Sequence, residues 1–274
     1  MGFMFEDLTY IRNLVRERSA IVLEEEKDYL IRSRLEPLAK ELGFDSLVGL
    51  VGKLRRTSDD TLHRTVVEAM TTNETSFFRD LSPFLALKER LLPDLIARRA
   101  STRCLSIWCG ASASGQEPYS IMLTILEHFA ELQDWRIRFL ATDISRVMLK
   151  RCQEGIYSQI EVNRGLPAGL LTKYFSKKGT HWQIAENIRK RIEFREMNLA
   201  DPWPLLPRMD MVVLRNVMIY FDGETKKQIL KKIRHILDPQ GYLLLGGTET
   251  TINLDDQYER LAVNGTSCYR IRVG

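Results

Sequence analysis

A chain of 274 residues with 44% hydrophobic and 28% charged side chains can bury a core without covalent staples, and two unequal domains are the starting expectation. A formal net charge of +4 is too small to argue for nucleic acid, and no apolar run approaches the length of a membrane span. The opening MGFMFEDLTYIRN has no basic segment leading into an apolar stretch, so no secretory signal is expected and the chain reads as soluble and cytoplasmic.

Cys104, Cys109, Cys152 and Cys268 show no metal-ligand spacing; they read as small buried hydrophobes, and neither disulfides nor a metal site is expected. Charge is uneven along the chain. Residues 1–70 hold 11 Lys or Arg against 13 Asp or Glu, net −2, which leaves +6 on the remainder. A mildly basic main part suits an acidic partner through field steering, and an ordinary solvated surface accounts for it equally well.

In chain order, Phe5, Leu8, Ile11 and Val15 share one helical face. A second helix is expected from Asp28, a good N-cap residue, to Gly43, a good terminator, with Ile31, Leu35, Leu38 and Leu42 on one face and a kink or split at Pro37. Apolar periodicity over 47–54 and 62–70 completes a small all-α domain spanning 1–70. Residues 71–95 form a linker and covering segment, with an amphipathic stretch over about 83–98.

From 96 to 274 the pattern changes. Apolar runs at Cys104–Trp108, Ile137–Ala141, Met211–Leu214 and Tyr242–Leu245 read as strands, with helices at Tyr119–Phe129, Ser145–Cys152 and Glu224–Leu237. Strands too apolar to face water, alternating with helices, imply a mostly parallel sheet covered on both sides. Ser267–Val273 is expected to return as an antiparallel edge strand. Between residues 155 and 194 the alternation breaks into two short strands, His181–Ile184 and Ile192–Phe194, the mark of an inserted β subdomain.

Strand Leu105–Trp108 runs into a turn of small residues, Cys109–Ser120, in the form G-x-S-x-x-G, with Pro118 read as the first position of the next helix. Ser112 replaces the middle glycine and Glu117 brings a negative charge, both awkward beside a pyrophosphate. S-adenosylmethionine has no phosphate, and its ammonium group suits Glu117. A tight turn in any α/β protein explains the glycines alone. Asp143 ends the next strand, where a carboxylate accepts both hydroxyls of a ribose; taken singly it reads as a helix cap.

Four motifs, Thr71–Asp80, Cys109–Ser120, Ala141–Ser145 and Leu214–Phe221, then give the chain a resemblance to the chemotaxis receptor methyltransferase family, CheR, along nearly its whole length. The resemblance implies a class I S-adenosylmethionine-dependent methyltransferase domain, Rossmann-like with a mostly parallel sheet, a small N-terminal all-α domain and a small antiparallel β subdomain inserted in the main domain. It assigns Asn73, Thr75 and Arg79 to the cofactor, Glu117 to its methionine end, Asp143 to the ribose, Asn198 and Leu199 to the adenine, and Arg215 and Asn216 to the pocket wall. Capping by Asn73 or Thr75, an Arg79–Asp80 pair and a core role for Leu199 are the alternatives; Phe77 and Met197 read as core.

Methyl transfer from a sulfonium to an ionised glutamate needs no general base, so alignment and desolvation are the expected means of catalysis. His63, His128, His181 and His235 form no motif. Tyr220 is the residue expected nearest the reacting atoms, or else an aromatic packed against the next helix. The family resemblance implies that the substrates are glutamates on the cytoplasmic helices of chemoreceptors, with Arg32 and Arg34 as docking contacts, or a solvated face, and that the inserted subdomain in some members grips a receptor tail by strand addition. The alternatives are a non-catalytic S-adenosylmethionine-binding scaffold on a chemosensory array, and a methyltransferase with another substrate. Arg215–Met218 lacks the Asn-Pro-Pro-aromatic run of many base-methylating enzymes.

Overall fold

The computed structural model describes residues 5–272; Val273, at the end of the expected last strand, lies outside them. The described residues form two compact units, one reaching to Thr72 and including Tyr220–Thr225, the other formed by Asn73–Ile219 with the chain from Lys226 onward.

The first unit holds α1 (Phe5–Ser19), α2 (Asp28–Glu41), α3 (Leu47–Arg56) and α4 (Asp60–Met70). Apolar residues at helical spacing, among them Ile11, Val15, Ile31, Leu35, Leu50 and Val66, meet in one core. Ser46 caps α3 by accepting from the Gly49 N–H, and Asp59 caps α4 by accepting from those of Thr61 and Leu62. Asp28 is the first residue of α2 rather than its cap, because its carboxylate is taken by the Arg12 guanidinium at 3.0 Å. Pro37 does not split α2: it is exposed, so water can satisfy the carbonyl it orphans while Ile31, Leu35 and Ala39 hold the buried face. Within the same unit the Val22 N–H donates to the Tyr220 carbonyl at 2.9 Å, and Ile21 bridges to Phe221.

The second unit begins with the irregular segment 73–80, then α5 (Leu81–Ala86), a π turn (Leu87–Leu91) and α6 (Leu92–Arg99). There follow β1 (Cys104–Gly110), α7 (Gln116–His128), β2 (Arg136–Asp143) and α8 (Arg146–Glu154). The insertion carries β3 (Ile156–Ser158), α9 (Gln159–Asn163), α10 (Ala168–Tyr174), β4 (Phe175–Lys178), β5 (His181–Ile184) and α11 (Glu186–Arg189). Then come β6 (Glu193–Glu196), β7 (Met209–Leu214), α12 (Gly223–Ile236), β8 (Leu237–Leu245), β9 (Tyr258–Val263) and β10 (Thr266–Ile271).

Seven strands form one sheet in the order β6-β2-β1-β7-β8-β10-β9. β6, β2, β1, β7 and β8 pair in parallel, and β10 pairs antiparallel with both β8 and β9. Three sequence expectations change. The last strand is internal, because β9 takes the edge outside it. The short strand expected at Ile192–Phe194 belongs to the main sheet as β6, beside β2, so the insertion's own sheet is β3-β5-β4. Pro118 is the third residue of α7, not the first: the left-handed Gly115 starts the helix, and a proline there still lies in the first turn, where no intrahelical N–H is lost.

The chain leaves β1 toward β2 and β6 on one side and returns to β7 and β8 on the other. The carboxyl ends of β1 and β7 therefore flank the switch point at which open α/β sheets hold ligands. The first ten residues of α7 are all buried. Phe77 explains part of that cover: it meets Tyr157 at 5.0 Å and Phe175 at 5.7 Å between ring centroids, so segment 73–80, the insertion and the main sheet share one core.

Gly165, at φ +93°, lies against this junction, and a Cβ there would stand 2.0 Å from the Phe77 carbonyl oxygen. Gly165→Ala is expected to destabilise the protein by about 3 kcal/mol or more, combining a forbidden backbone conformation with a clash against main chain. Urea unfolding checks this, and a change under about 1 kcal/mol, close to that of an ordinary surface substitution, would contradict it.

Candidate functional site

The turn after β1 is built around close approach. Gly110 is needed because a Cβ there would lie 2.7 Å from Leu214 Cδ1 on β7. Ala111 and Ala113 then adopt left-handed backbone, at φ +53° and +46°, and Gly115 follows at +93°. Such conformations cost alanine about 1–2 kcal/mol and persist only where neighbours hold them. Here the Ser112 N–H donates to the Thr142 carbonyl, the Ala113 N–H donates to Asp143 Oδ2 at 2.8 Å, and the Tyr157 hydroxyl donates to the Ser114 carbonyl at 2.8 Å.

Asp143 is buried at the end of β2. Its Oδ1 accepts from the Ser145 N–H at 2.9 Å, and Ser145, not Asp143, caps the next helix by accepting from the Met148 N–H. Its carbonyl accepts from the Met197 N–H, which brings Asn198 and Leu199 beside it. Asn198 Oδ1 accepts from the Ala200 N–H at 3.0 Å, and the Lys232 ammonium donates to the carbonyls of Leu199, Ala200 and Asp201. Burial holds the Lys232 pKa below its usual value.

At the end of β7, Arg215 is 5% exposed. Its guanidinium donates to Glu117 Oε1, and to the Arg79 carbonyl and Asp80 Oδ2, each at 2.9 Å. Arg79 itself donates to the Glu74 carbonyl at 3.0 Å, and Asp80 pairs with Arg215 rather than with Arg79, the alternative the sequence left open. The other Glu117 oxygen accepts from the Cys109 thiol at 3.6 Å. Burial first, and then the Glu117 charge, push the Cys109 thiol well above its ordinary pKa, so it stays protonated and unreactive.

Asn216 is also left-handed, at φ +60°. The residue that holds it is Glu249, which the sequence reading did not single out. This buried carboxylate accepts four backbone N–H bonds, from Asn216 and Val217 at 2.9 Å, Met218 at 2.7 Å and Gly246 at 2.6 Å. Gly246 has no alternative: its Cβ would lie 2.6 Å from Glu249 Oε2. The available signal was a lone acid three residues past a strand-ending glycine, and nothing in one dimension says that it reaches back to residue 216.

The structure thus joins Arg79, Glu117, Asp143, Asn198, Leu199, Arg215 and Asn216 through direct or shared contacts within one unit. Asn73 and Thr75 lie half-buried on the irregular segment that carries Arg79, and they cap no helix. Tyr220 closes the 3-10 turn Met218–Tyr220, and its carbonyl is tied into the helical unit. Arg32 is exposed on α2, and the Arg34 guanidinium donates to the carbonyls of Met70 and Thr71 and to Thr72 Oγ1 at the end of α4.

The residues at the switch point fit S-adenosylmethionine. Glu117 and Asp143 are buried carboxylates of the kind an ammonium and a diol require, Ser112 stands where a pyrophosphate would require glycine, and Arg215 Nε is a buried donor with no partner among the described residues. A sheet in this order, with one antiparallel strand and an acid placed after each of its first two strands, defines a class I methyltransferase.

The comparisons agree. The family model described as "CheR methyltransferase, SAM binding domain" matches residues 73–266, and that described as "CheR methyltransferase, all-alpha domain" matches 6–71. Chemotaxis protein methyltransferase 1 of Pseudomonas aeruginosa is 41% identical over 271 residues, 97% of this chain and 98% of its own. Chemotaxis protein methyltransferase Cher2 of Pseudomonas putida is 38% identical with the same coverage. A solved structure of the glycopeptide N-methyltransferase MtfA with S-adenosylmethionine aligns over 54% of this chain and 47% of its own, at 18% identity and a TM-score of 0.32, a likeness that adds nothing to the strand order. The chain belongs to the CheR methyltransferase family, and it is an S-adenosylmethionine-dependent methyltransferase. No described helix is long and apolar enough to cross a membrane.

Two outcomes follow from the site. Glu249→Gln replaces one acceptor oxygen by a donor facing N–H groups, and should lower stability by about 2 kcal/mol while weakening cofactor affinity; thermal unfolding and calorimetry measure both, and an unchanged melting point would remove the anchor role. Because burial raises the thiols of Cys109 and Cys152 and lifts Cys268 to about 12, none of the three should be alkylated in the folded protein at about pH 8.5, near the midpoint of an unperturbed thiol, as read by peptide mass mapping.

Proposed function

We propose that this enzyme transfers the methyl group of S-adenosylmethionine to glutamate side chains on the cytoplasmic helices of chemoreceptors, forming methyl esters in sensory adaptation. The observation that carries the reading is the chemistry of the site: carboxylates and one arginine ring the switch point, and burial raises the pKa of its two thiols, Cys109 and Cys152. An attacking glutamate is already ionised at neutral pH and requires no base, so a site that aligns and desolvates suffices. The relatives named above, chemotaxis protein methyltransferases, support the same substrate class.

S-adenosylmethionine, when bound, supplies an electrophilic methyl on a sulfonium. The chain's own residues do the rest. Asp143 accepts from the ribose hydroxyls while its backbone contacts keep it in place. Glu117, restrained on one oxygen by Arg215, accepts from the ammonium with the other, displacing only the weak thiol donor of Cys109. Asn198 and Leu199 border the adenine, and Asn73, Thr75 and Arg79 contribute from the segment before α5. Tyr220 is assigned to the substrate side.

Arg32 is retained as the docking contact on α2, and Arg34 is given the structural task of closing α4. Arg32→Glu should therefore lower receptor methylation several-fold and leave cofactor affinity unchanged, while Arg34→Glu should also lower the melting temperature. Labelled cofactor with receptor-rich membranes tests the reaction itself. Base-labile label on receptors is the expected result; transfer to nucleic acid, or cofactor binding without transfer, would overturn the proposal. Asp143→Ala should weaken S-adenosylmethionine binding at least about tenfold, the scale of one lost charge-assisted hydrogen bond, as measured by calorimetry.

A further inference from the structure

β2 runs from Arg136 to Asp143, yet β6 covers its outer side only from Leu140 to Asp143. The other side pairs with β1 throughout. From Arg136 to Phe139 the outer side of β2 has no partner strand among the described residues. A cleft of about 620 Å³ lies there, bordered by the five consecutive residues Arg136–Leu140, by residues 190–193 with Arg195, and by Leu206, Pro207 and Met209. That volume is in the range of ligand sites. Successive residues of a strand point to opposite faces, so five in a row can border one cavity only when it runs along the strand's edge.

The backbone is oriented toward the gap. On β2 the even-numbered residues face β1, since the Arg136 N–H donates to the Arg103 carbonyl and the Thr142 carbonyl accepts from Ser112. The odd-numbered residues face outward, as the Asp143 carbonyl shows by accepting from Met197. By that alternation Ile137 turns its N–H and C=O groups into the cleft and Phe139 its N–H, while the register that sets Leu140 beside Glu193 gives the Phe139 carbonyl to the Glu193 N–H.

Charge marks the same place. Arg136 and Arg138 are exposed on one face of the strand, and Arg191 is exposed on the incoming wall. Lys190 and Arg195 are neutralised locally by Glu186 and Glu193. Arg136, Arg138 and Arg191 have no acidic partner among the described residues.

We propose that this gap is a docking slot for an extended acidic segment of a partner protein, which adds as a strand beside Ile137–Phe139 and places its carboxylates on Arg136, Arg138 and Arg191. A compact phosphate would satisfy the guanidiniums and leave the outward carbonyl of Ile137 without a donor; an extended chain satisfies both. A nucleotide base has nothing to stack on, because the one aromatic lining residue, Phe139, is buried. Four strand residues span about 13 Å, which sets the length of the segment. Arginines on an open edge also deter neutral strands, so the slot selects acidic ones.

The test uses the full chain and a fluorescein-labelled octapeptide alternating valine and glutamate, followed by fluorescence anisotropy. Saturable binding is expected, weakening about tenfold between about 0.05 and 0.3 M salt. The double variant Arg136→Glu with Arg138→Glu should lose it, with melting temperature and S-adenosylmethionine affinity unchanged. The glutamine counterpart of the peptide and an N-methylated version of the acidic peptide should both bind at least about tenfold more weakly, the first for lack of charge and the second for lack of strand pairing. Absence of binding, equal binding by the double variant, or equal binding by the N-methylated peptide would each overturn the proposal.

Discussion

A guanidinium buried at the end of β7 is the constraint around which the cofactor edge is arranged. Arg215 without partners would carry a penalty of several kcal/mol, and the fold meets it with Glu117 from α7, Asp80 from the segment before α5, and the Arg79 carbonyl. Three stretches far apart in sequence are thereby held to one point. The same bonds leave Glu117 oriented, with only a thiol on its second oxygen. Electrostatics here serves geometry first and ligand affinity second.

Backbone strain gathers along the same edge. Phe78, Asp80, Ala111, Ala113 and Asn216 are all left-handed without being glycine. Most have an identifiable restraint: the Phe78 N–H on Ser120 Oγ, the Asp80 carboxylate on Arg215, the Ala113 N–H on Asp143, and the Asn216 N–H on Glu249. Carboxylates therefore do at this site what glycines do in a phosphate-binding turn: they let the main chain take conformations that bring it close to a ligand. The opposite end of β2 has the reverse character, with arginines beside an open edge, so one strand presents an acid at its carboxyl end and cations at its start.

Much of this was legible in one dimension. The strand, small-residue turn and acidic helix start at Cys104–Glu117, and the acid at Asp143, announced a nucleotide-type site without phosphate, since those are local patterns set by the spacing of apolar runs and by turn chemistry. The α-helical character of the first seventy residues was equally plain from their periodicity. The failures have separate causes. β9 holds only three consecutive apolar residues, Leu261–Val263, too few to announce a strand; β6 was grouped with the insertion because four residues do not reveal which sheet they join; Pro37 was expected to kink or split α2, yet the helix runs from Asp28 to Glu41 with Ile31, Leu35 and Ala39 buried on another face.

The sequence by itself determined the kinds of elements, the switch-point turn, and the identity of the polar residues at strand ends, because each depends on neighbours within a few positions. The tertiary structure alone decided how those residues are used: that Arg215 is shared between Glu117 and Asp80, that Glu249 reaches back across thirty-three positions to gather four amides, and that Arg34 closes a helix. A hydrogen bond is satisfied by distance and angle in space, and chain separation carries no record of which donor a buried carboxylate will meet.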